Sequence, residues 1–258
     1  MALLEYNLLE KRDKVAIAIK RIKEFEPPEG YYVAFSGGKD SVVVYDLVKR
    51  SGVKYDVHHH LTTVDPPELI RFMREHFGEV PLEKPAINMW KLIIHNKMPP
   101  TRLMRYCCRE LKERGGVDRR IITGIRWAES LRRNKRRVME HCMQNHKKIF
   151  VHPIIDWANE DVWEYIRVNH LPYCGLYDEG FDRLGCIMCP NKRTQGMLND
   201  AKRWPTYKMA YLKAFDKMLT RRANEGLETK WSSAEEVMHW WIYGKDHNTL
   251  DDQFGLFE

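Results

Sequence analysis

Residues 31–50 carry the feature that most restricts the fold. A short run of β-formers at 31–35 enters Ser36-Gly37-Gly38-Lys39-Asp40-Ser41 and passes straight into a helical pattern at 40–50. Gly37 and Gly38 can adopt positive φ and let a ligand approach the backbone closely. The following helix aims free N–H groups and the positive end of its dipole at an anion. Ser36 and Ser41 offer hydroxyl hydrogen bonds, and Lys39 can neutralise charge. Asp40 is the odd member beside phosphate, and suits either an indirect ligand of Mg²⁺ or a cap on the helix. Neither the Walker spacing nor the dinucleotide spacing is present. The alternative to phosphate binding is a plain glycine turn capped by serine.

The strand-then-helix pattern recurs. Strands are expected at 55–59, 121–125 and 149–152, with helices at 8–26, 66–77, 88–95, 106–114 and 159–169. Such alternation predicts an α/β fold, an open, mostly parallel sheet with helices on both faces. Ligands in these folds lie beyond the carboxyl ends of the strands, where the loop and Thr62-Thr63 both fall. Long helical stretches at 201–225 and 233–243 follow. The expected division is an N-terminal helix (1–27), a nucleotide-binding domain with the cysteines (28–190) and a C-terminal helical appendage (191–258). Trp231, Trp240, Trp241 and Phe254-Gly255-Leu256-Phe257 read as core packing or as an interaction surface.

A hydrophobic fraction of 43% supports a buried core. No apolar run approaches the ~18 residues of a membrane span, and residues 1–13 lack a secretory pattern. A cytoplasmic location is therefore expected, with reduced or metal-bound cysteines. The net charge of +7 suits nucleotide phosphate or nucleic acid, and surface lysine alone could also produce it.

Cys107-Cys108 and Cys186-Ile187-Met188-Cys189 supply the thiolates of a four-sulfur site, which zinc and a [4Fe-4S] cluster both accept. Cys174 is an alternative fourth ligand or a free thiol. Cys142 reads as incidental. His58-His59-His60 reads as a strand end, because alternation turns His59 away from its neighbours.

The hexapeptide resembles the pyrophosphate loop of the PP-loop ATP pyrophosphatase superfamily, and within it the chain resembles the PAPS reductase family. Leu61-Thr62-Thr63-Val64-Asp65-Pro66-Pro67-Glu68 is similar to a family segment bordering the adenosine, although Leu61 and Thr63 stand where the family has Asp and Gly. Residues 123–133 resemble its Gly-x-Arg-x-x-(Glu/Gln)-Ser-x-x-Arg stretch, whose arginines face phosphate or sulfate. Pro153-Ile154-Ile155-Asp156-Trp157 matches a further segment, whose role looks structural.

The resemblance implies nucleotide binding (ATP, APS or PAPS) by Ser36, Gly37, Gly38, Lys39, Asp40, Ser41, Thr62, Thr63, Gly124, Arg126 and Arg133. Lys39, Asp40 and Arg126 would carry catalysis, with Mg²⁺. It also implies a [4Fe-4S] cluster on Cys107, Cys108, Cys186 and Cys189. The family's reductases use a late Glu-Cys-Gly-x-His cysteine, and no cysteine follows Cys189. Together with Gly38, this favours an ATP-using member similar to the DNA phosphorothioation and tRNA thiolation enzymes. A PAPS or APS reductase and a non-catalytic nucleotide-binding accessory of a nucleic-acid system are the alternatives. A sulfur-donor protein, nucleic acid and a second copy of the chain remain open as partners, and a membrane is not expected.

Overall fold

The computed structural model describes residues 3–6, 11–142 and 147–244. Along the chain a ribbon of β1 (Leu4–Tyr6) and β2 (Lys11–Asp13) precedes α1 (Lys14–Glu24), β3 (Tyr31–Ala34), α2 (Lys39–Ser51) and β4 (Tyr55–His60). Next come α3 (Pro67–His76), β5 (Leu82–Glu83), α4 (Met89–Asn96), α5 (Tyr106–Leu111) and β6 (Arg120–Ile122). The remainder is β7 (Met139–His141), β8 (Ile149–Val151), α6 (Asn159–Val168), α7 (Thr194–Arg203), α8 (Pro205–Asn224) and α9 (Ala234–Tyr243).

Two compact units result. One comprises the chain up to His60 with Pro67–Glu83 and Arg114–Leu184; the other comprises Leu61–Pro66, Lys84–Glu113 and the chain from Gly185.

The first unit holds a six-stranded sheet in the order β5-β4-β3-β6-β8-β7, parallel except for β7 against β8. The expected class is therefore observed: an open, mostly parallel α/β sheet with added C-terminal helices. From β3 the chain builds outward to β4 and β5, then returns to lay β6 on the other side of β3. That reversal makes β3 and β6 a topological switch point, where the loops after both strands diverge and leave a crevice.

Helices α1, α2 and α6 pack side by side. Val42, Val43, Val44, Leu47 and Val48 of α2 are buried, as are Ile22, Val162 and Ile166. Asp13 caps α1 through the Val15 and Ala16 amides. Arg21 of α1 grips Asp156 with two guanidinium hydrogen bonds of 2.7 and 2.8 Å. With Trp157 buried beside it, the 153–157 segment is structural, as its sequence indicates.

The second unit is helical. Tyr211, Phe215 and Met218 of α8 are buried with Val237 and Trp241 of α9. Trp231 is buried and its ring lies 4.9 Å from that of the half-buried Trp240, so Trp231 and Trp241 are core. Phe254-Gly255-Leu256-Phe257 lies outside the described residues. The expected helix at 201–225 is two helices. Trp204 precedes Pro205, and a residue before proline is driven out of the helical region; Trp204 takes φ −125° and ψ 69°, and α8 restarts with Pro205 in its first turn. The expected helix at 8–26 begins only at Lys14, the strand at 121–125 ends at Ile122 and the helix at 106–114 ends at Leu111.

One buried group links the sheet to pH. His152 is 0% exposed; its Nδ1 lies 2.7 Å from the Thr123 hydroxyl and its Nε2 3.3 Å from Glu140. Burial is the main cause that pushes its pKa down from 6.5 to about 4. A depressed folded-state value means the contribution to stability is full above pH 6.5 and is lost as pH falls towards 4. Urea unfolding at a series of pH values should show a loss on the order of 1–3 kcal/mol across that window, and His152→Gln should flatten it.

Candidate functional site

The Ser36-Gly37-Gly38 segment forms the turn between β3 and α2. Gly37 takes φ +72°, and a Cβ there would lie 2.8 Å from the Met73 sulfur, so only glycine suits the position. Gly38 differs from expectation: it has φ −77° and serves as the extended N-cap of α2. The N-cap position is Gly38, which makes no side-chain cap hydrogen bond, and Asp40 lies inside the helix, so Asp40 is not the cap. The serines tie the loop to itself: Ser41 Oγ donates to the Gly38 carbonyl at 2.8 Å and accepts from the Ser36 amide at 3.2 Å.

The loop after β6 adjoins this turn, as the switch-point topology requires. A Cβ on Gly124 would fall 2.8 Å from the Asp40 carbonyl, so close approach is what glycine permits there. Arg126, 3% exposed, places Nε 2.6 Å from Asp40 Oδ1 and donates to the Trp157 carbonyl. Lys39, 5% exposed, has its ammonium 3.5 Å from the other Asp40 oxygen. The carboxylate is thus held between two cations, which removes the repulsion its sequence position suggests. Glu129 accepts from the Arg126 amide at 2.9 Å and pairs with Arg133. Burial, the largest cause, lowers the Arg133 pKa against the pull of Glu129.

Lys39, Arg126, Glu129, Asn159, Trp163, Tyr177 and Arg183 line a cavity of about 550 Å³ within this unit. All but Lys39 and Arg126 were missed from the sequence. The only local signal for Tyr177 and Arg183 is an aromatic and charged loop, Tyr177-Asp178-Glu179-Gly180-Phe181-Asp182-Arg183, ahead of the Cys-x-x-Cys, and Asn159 and Trp163 come from α6. Tyr177 Oη accepts from the Lys39 amide at 2.9 Å, and Lys39 Nζ donates to the Asp182 carbonyl at 3.2 Å.

Thr62 and Thr63 belong to the second unit. Both polar groups of Thr62 are spent on the Asp65 carboxylate at 2.7 Å. Thr63 has φ +65°, and its hydroxyl accepts from the Met89 amide at 2.9 Å.

Cys107, Cys108, Cys186 and Cys189 all fall in the second unit, whereas Cys174 and Cys142 fall in the first. Cys107 and Cys108 lie in the first turn of α5, and the hydrogen bond between them pushes the Cys107 thiol up while holding the Cys108 thiol down at about 6. Arg105 Nη2 lies 3.5 Å from Cys108 Sγ, and Cys186 Sγ lies 3.5 Å from the Thr62 hydroxyl. Lys112, also missed from the sequence, has its pKa raised chiefly by Cys186, with Asp65, Cys189 and Cys108 adding to it. Among the described residues, no group of three or more His, Cys, Asp or Glu is arranged to hold a metal ion.

His59 is buried and its Nδ1 lies 2.9 Å from the Phe35 carbonyl. His58 and His60 point the other way, with rings 4.1 and 6.3 Å from that of Tyr32. The alternation expected of a strand end is thus present.

The Phosphoadenosine phosphosulfate reductase domain profile matches residues 30–192. The chain belongs to the PAPS reductase family. Within the family's reach, an uncharacterized protein of Methanocaldococcus jannaschii is 31% identical over 195 residues, 70% of this chain and 47% of that protein. Adenosine 5'-phosphosulfate reductase 2 of Bacillus subtilis is 25% identical over 181 residues, covering 60% of this chain and 70% of that one. The chain spans 47% or less of the first curated relatives it matches. A PAPS reductase structure from Candida auris superposes with a TM-score of 0.50 at 18% identity, over 66% of this chain and 87% of that chain, a likeness of fold. No helix among the described residues is long and apolar enough to cross a membrane.

Proposed function

We propose that this member of the PAPS reductase family is a cytoplasmic enzyme that binds Mg·ATP, cleaves it between the α- and β-phosphates and adenylates a second substrate for sulfur transfer. The observation that carries this reading is the pair of nearly buried cations, Lys39 and Arg126, flanking Asp40 on the wall of the 550 Å³ cavity. A substrate oxygen would attack the α-phosphorus, and the bond to the bridging oxygen would break. Pyrophosphate would leave with the electron pair, so negative charge grows on the leaving group. Lys39, Arg126 and the first-turn amides of α2 would offer positive charge where it grows. Asp40 would hold Mg²⁺ through water, and the metal would supply further charge neutralisation. Gly124 keeps the backbone after β6 close enough for Arg126 to reach the loop.

The donor chemistry of the second unit supports an iron–sulfur cluster: Cys108 ionises readily beside Arg105, and Cys108, Cys186 and Cys189 act on the cation Lys112. Cys107, Cys108, Cys186 and Cys189 would hold a [4Fe-4S] group, which supplies a thiophilic, redox-capable centre. The two cations offset the negative charge that four thiolates bring.

The second reading, a PAPS or APS reductase, is favoured by the names of the relatives. It would recruit Cys174 as the sulfur nucleophile. Cys174 is 1% exposed and burial raises its pKa, and a protonated, buried thiol is a poor nucleophile. Anaerobic incubation with ATP, APS and PAPS in parallel separates the two. Pyrophosphate from ATP is expected; sulfite from either sulfonucleotide with thioredoxin would overturn the ATP reading.

A further inference from the structure

The loop that should receive phosphate already has an occupant from its own chain. The Lys39 amide is the first N–H of α2, one of the donors an anion at a helix start must take. Tyr177 Oη accepts that hydrogen bond at 2.9 Å. The Lys39 ammonium is also engaged, by the Asp182 carbonyl at 3.2 Å. A Cβ on Gly38 would stand 3.4 Å from the same phenol oxygen, so Tyr177 lies directly over the turn.

We propose that Tyr177 sets the phosphate affinity of this site: its hydroxyl occupies the position of a phosphate oxygen, and the segment Gly175–Arg183 must yield that position to the ligand. The inference rests on the phosphate-loop reading above and goes beyond it.

Three observations support displacement. Beside the Asp40 carboxylate, the two atoms that take hydrogen bonds from Lys39 are uncharged oxygens on one short segment, so a single anionic group replaces both at once. The exchange is favourable, because hydrogen bonds to a charged acceptor are about twice as strong as neutral ones. The segment is also held together by turn hydrogen bonds that must open for Tyr177 to leave the loop. Turn hydrogen bonds link Tyr177 to Cys174, Gly180 to Tyr177 and Phe181 to Leu176, and Gly180 takes φ +90° beside exposed neighbours. Tyr177 packs edge-on against Trp163, at 5.1 Å between ring centroids, so its departure changes the surroundings of an indole.

The test compares wild type and Tyr177→Phe, which retains the ring and its packing while removing the competing oxygen. Binding of Mg·pyrophosphate and of Mg·ATP is measured by calorimetry, with amide hydrogen exchange over 175–181. Tyr177→Phe should bind both ligands about fivefold more tightly, the equivalent of one neutral hydrogen bond of about 1 kcal/mol. In the wild type, ligand should speed exchange at the Tyr177, Gly180 and Phe181 amides. Weaker binding by the variant would overturn the proposal, because it would make the hydroxyl a ligand. So would binding that leaves exchange at 175–181 unchanged. If neither protein binds pyrophosphate or ATP, the phosphate-loop reading fails first and takes this inference with it.

Discussion

Lys39→Ala is expected to reduce pyrophosphate release from ATP by at least about a hundredfold, the scale seen when one preorganised charge-stabilising donor is removed. Lys39 is 5% exposed and its ammonium is shared between Asp40 and the Asp182 carbonyl, so no nearby solvent cation replaces it. The loss should be one of function and not of folding. Lys39 is the first residue of α2, and alanine is at least as good a helix former there. Circular dichroism and the melting temperature should therefore stay close to wild type while steady-state turnover collapses. Unchanged turnover would remove Lys39 from the mechanism. A collapsed melting temperature would assign it a structural role instead.

The second large effect concerns the thiols. Anaerobically purified protein should be brown and hold roughly four irons per chain, as a [4Fe-4S] group requires. Cys186→Ala and Cys108→Ala should each lose most of that iron and the colour, because both sulfurs belong to the unit that contains all four candidate ligands. Cys174→Ala should keep both. Retention of iron in Cys107→Ala with loss in Cys174→Ala would exchange the fourth ligand. A colourless, zinc-loaded wild type would discard the cluster. Iron analysis and visible spectra of the four variants suffice.

Much of the site was legible because its signals are local. The turn from β3 through Gly37 into α2 needs only neighbours in sequence, and periods of two and 3.6 residues mark strands and helices without reference to the rest of the chain. His59 turning away from His58 and His60 follows from the same alternation. Other features carried no such signal. β5 and β7 are only two and three residues long, too short for a period to register, and exist because a neighbouring strand offers them hydrogen bonds. The break at Trp204 had a local cue in Pro205, but helical composition on both sides outweighed it.

The sequence alone therefore determined a glycine turn between strand and helix, an alternating α/β order and two cysteine pairs. Tertiary structure decided what the loop meets. Laying β6 beside β3 brings Arg126 to Asp40 across 86 residues, and Tyr177 reaches the Lys39 amide across 138. It also gathers Leu61–Pro66, Lys84–Glu113 and the chain from Gly185 into one helical unit, so that Cys108, Cys186 and Cys189 share a neighbourhood with Lys112. The physical reason is that backbone periodicity and turn chemistry are properties of adjacent residues. The partner of a buried charge is chosen by strand order, which forms only when distant segments pack.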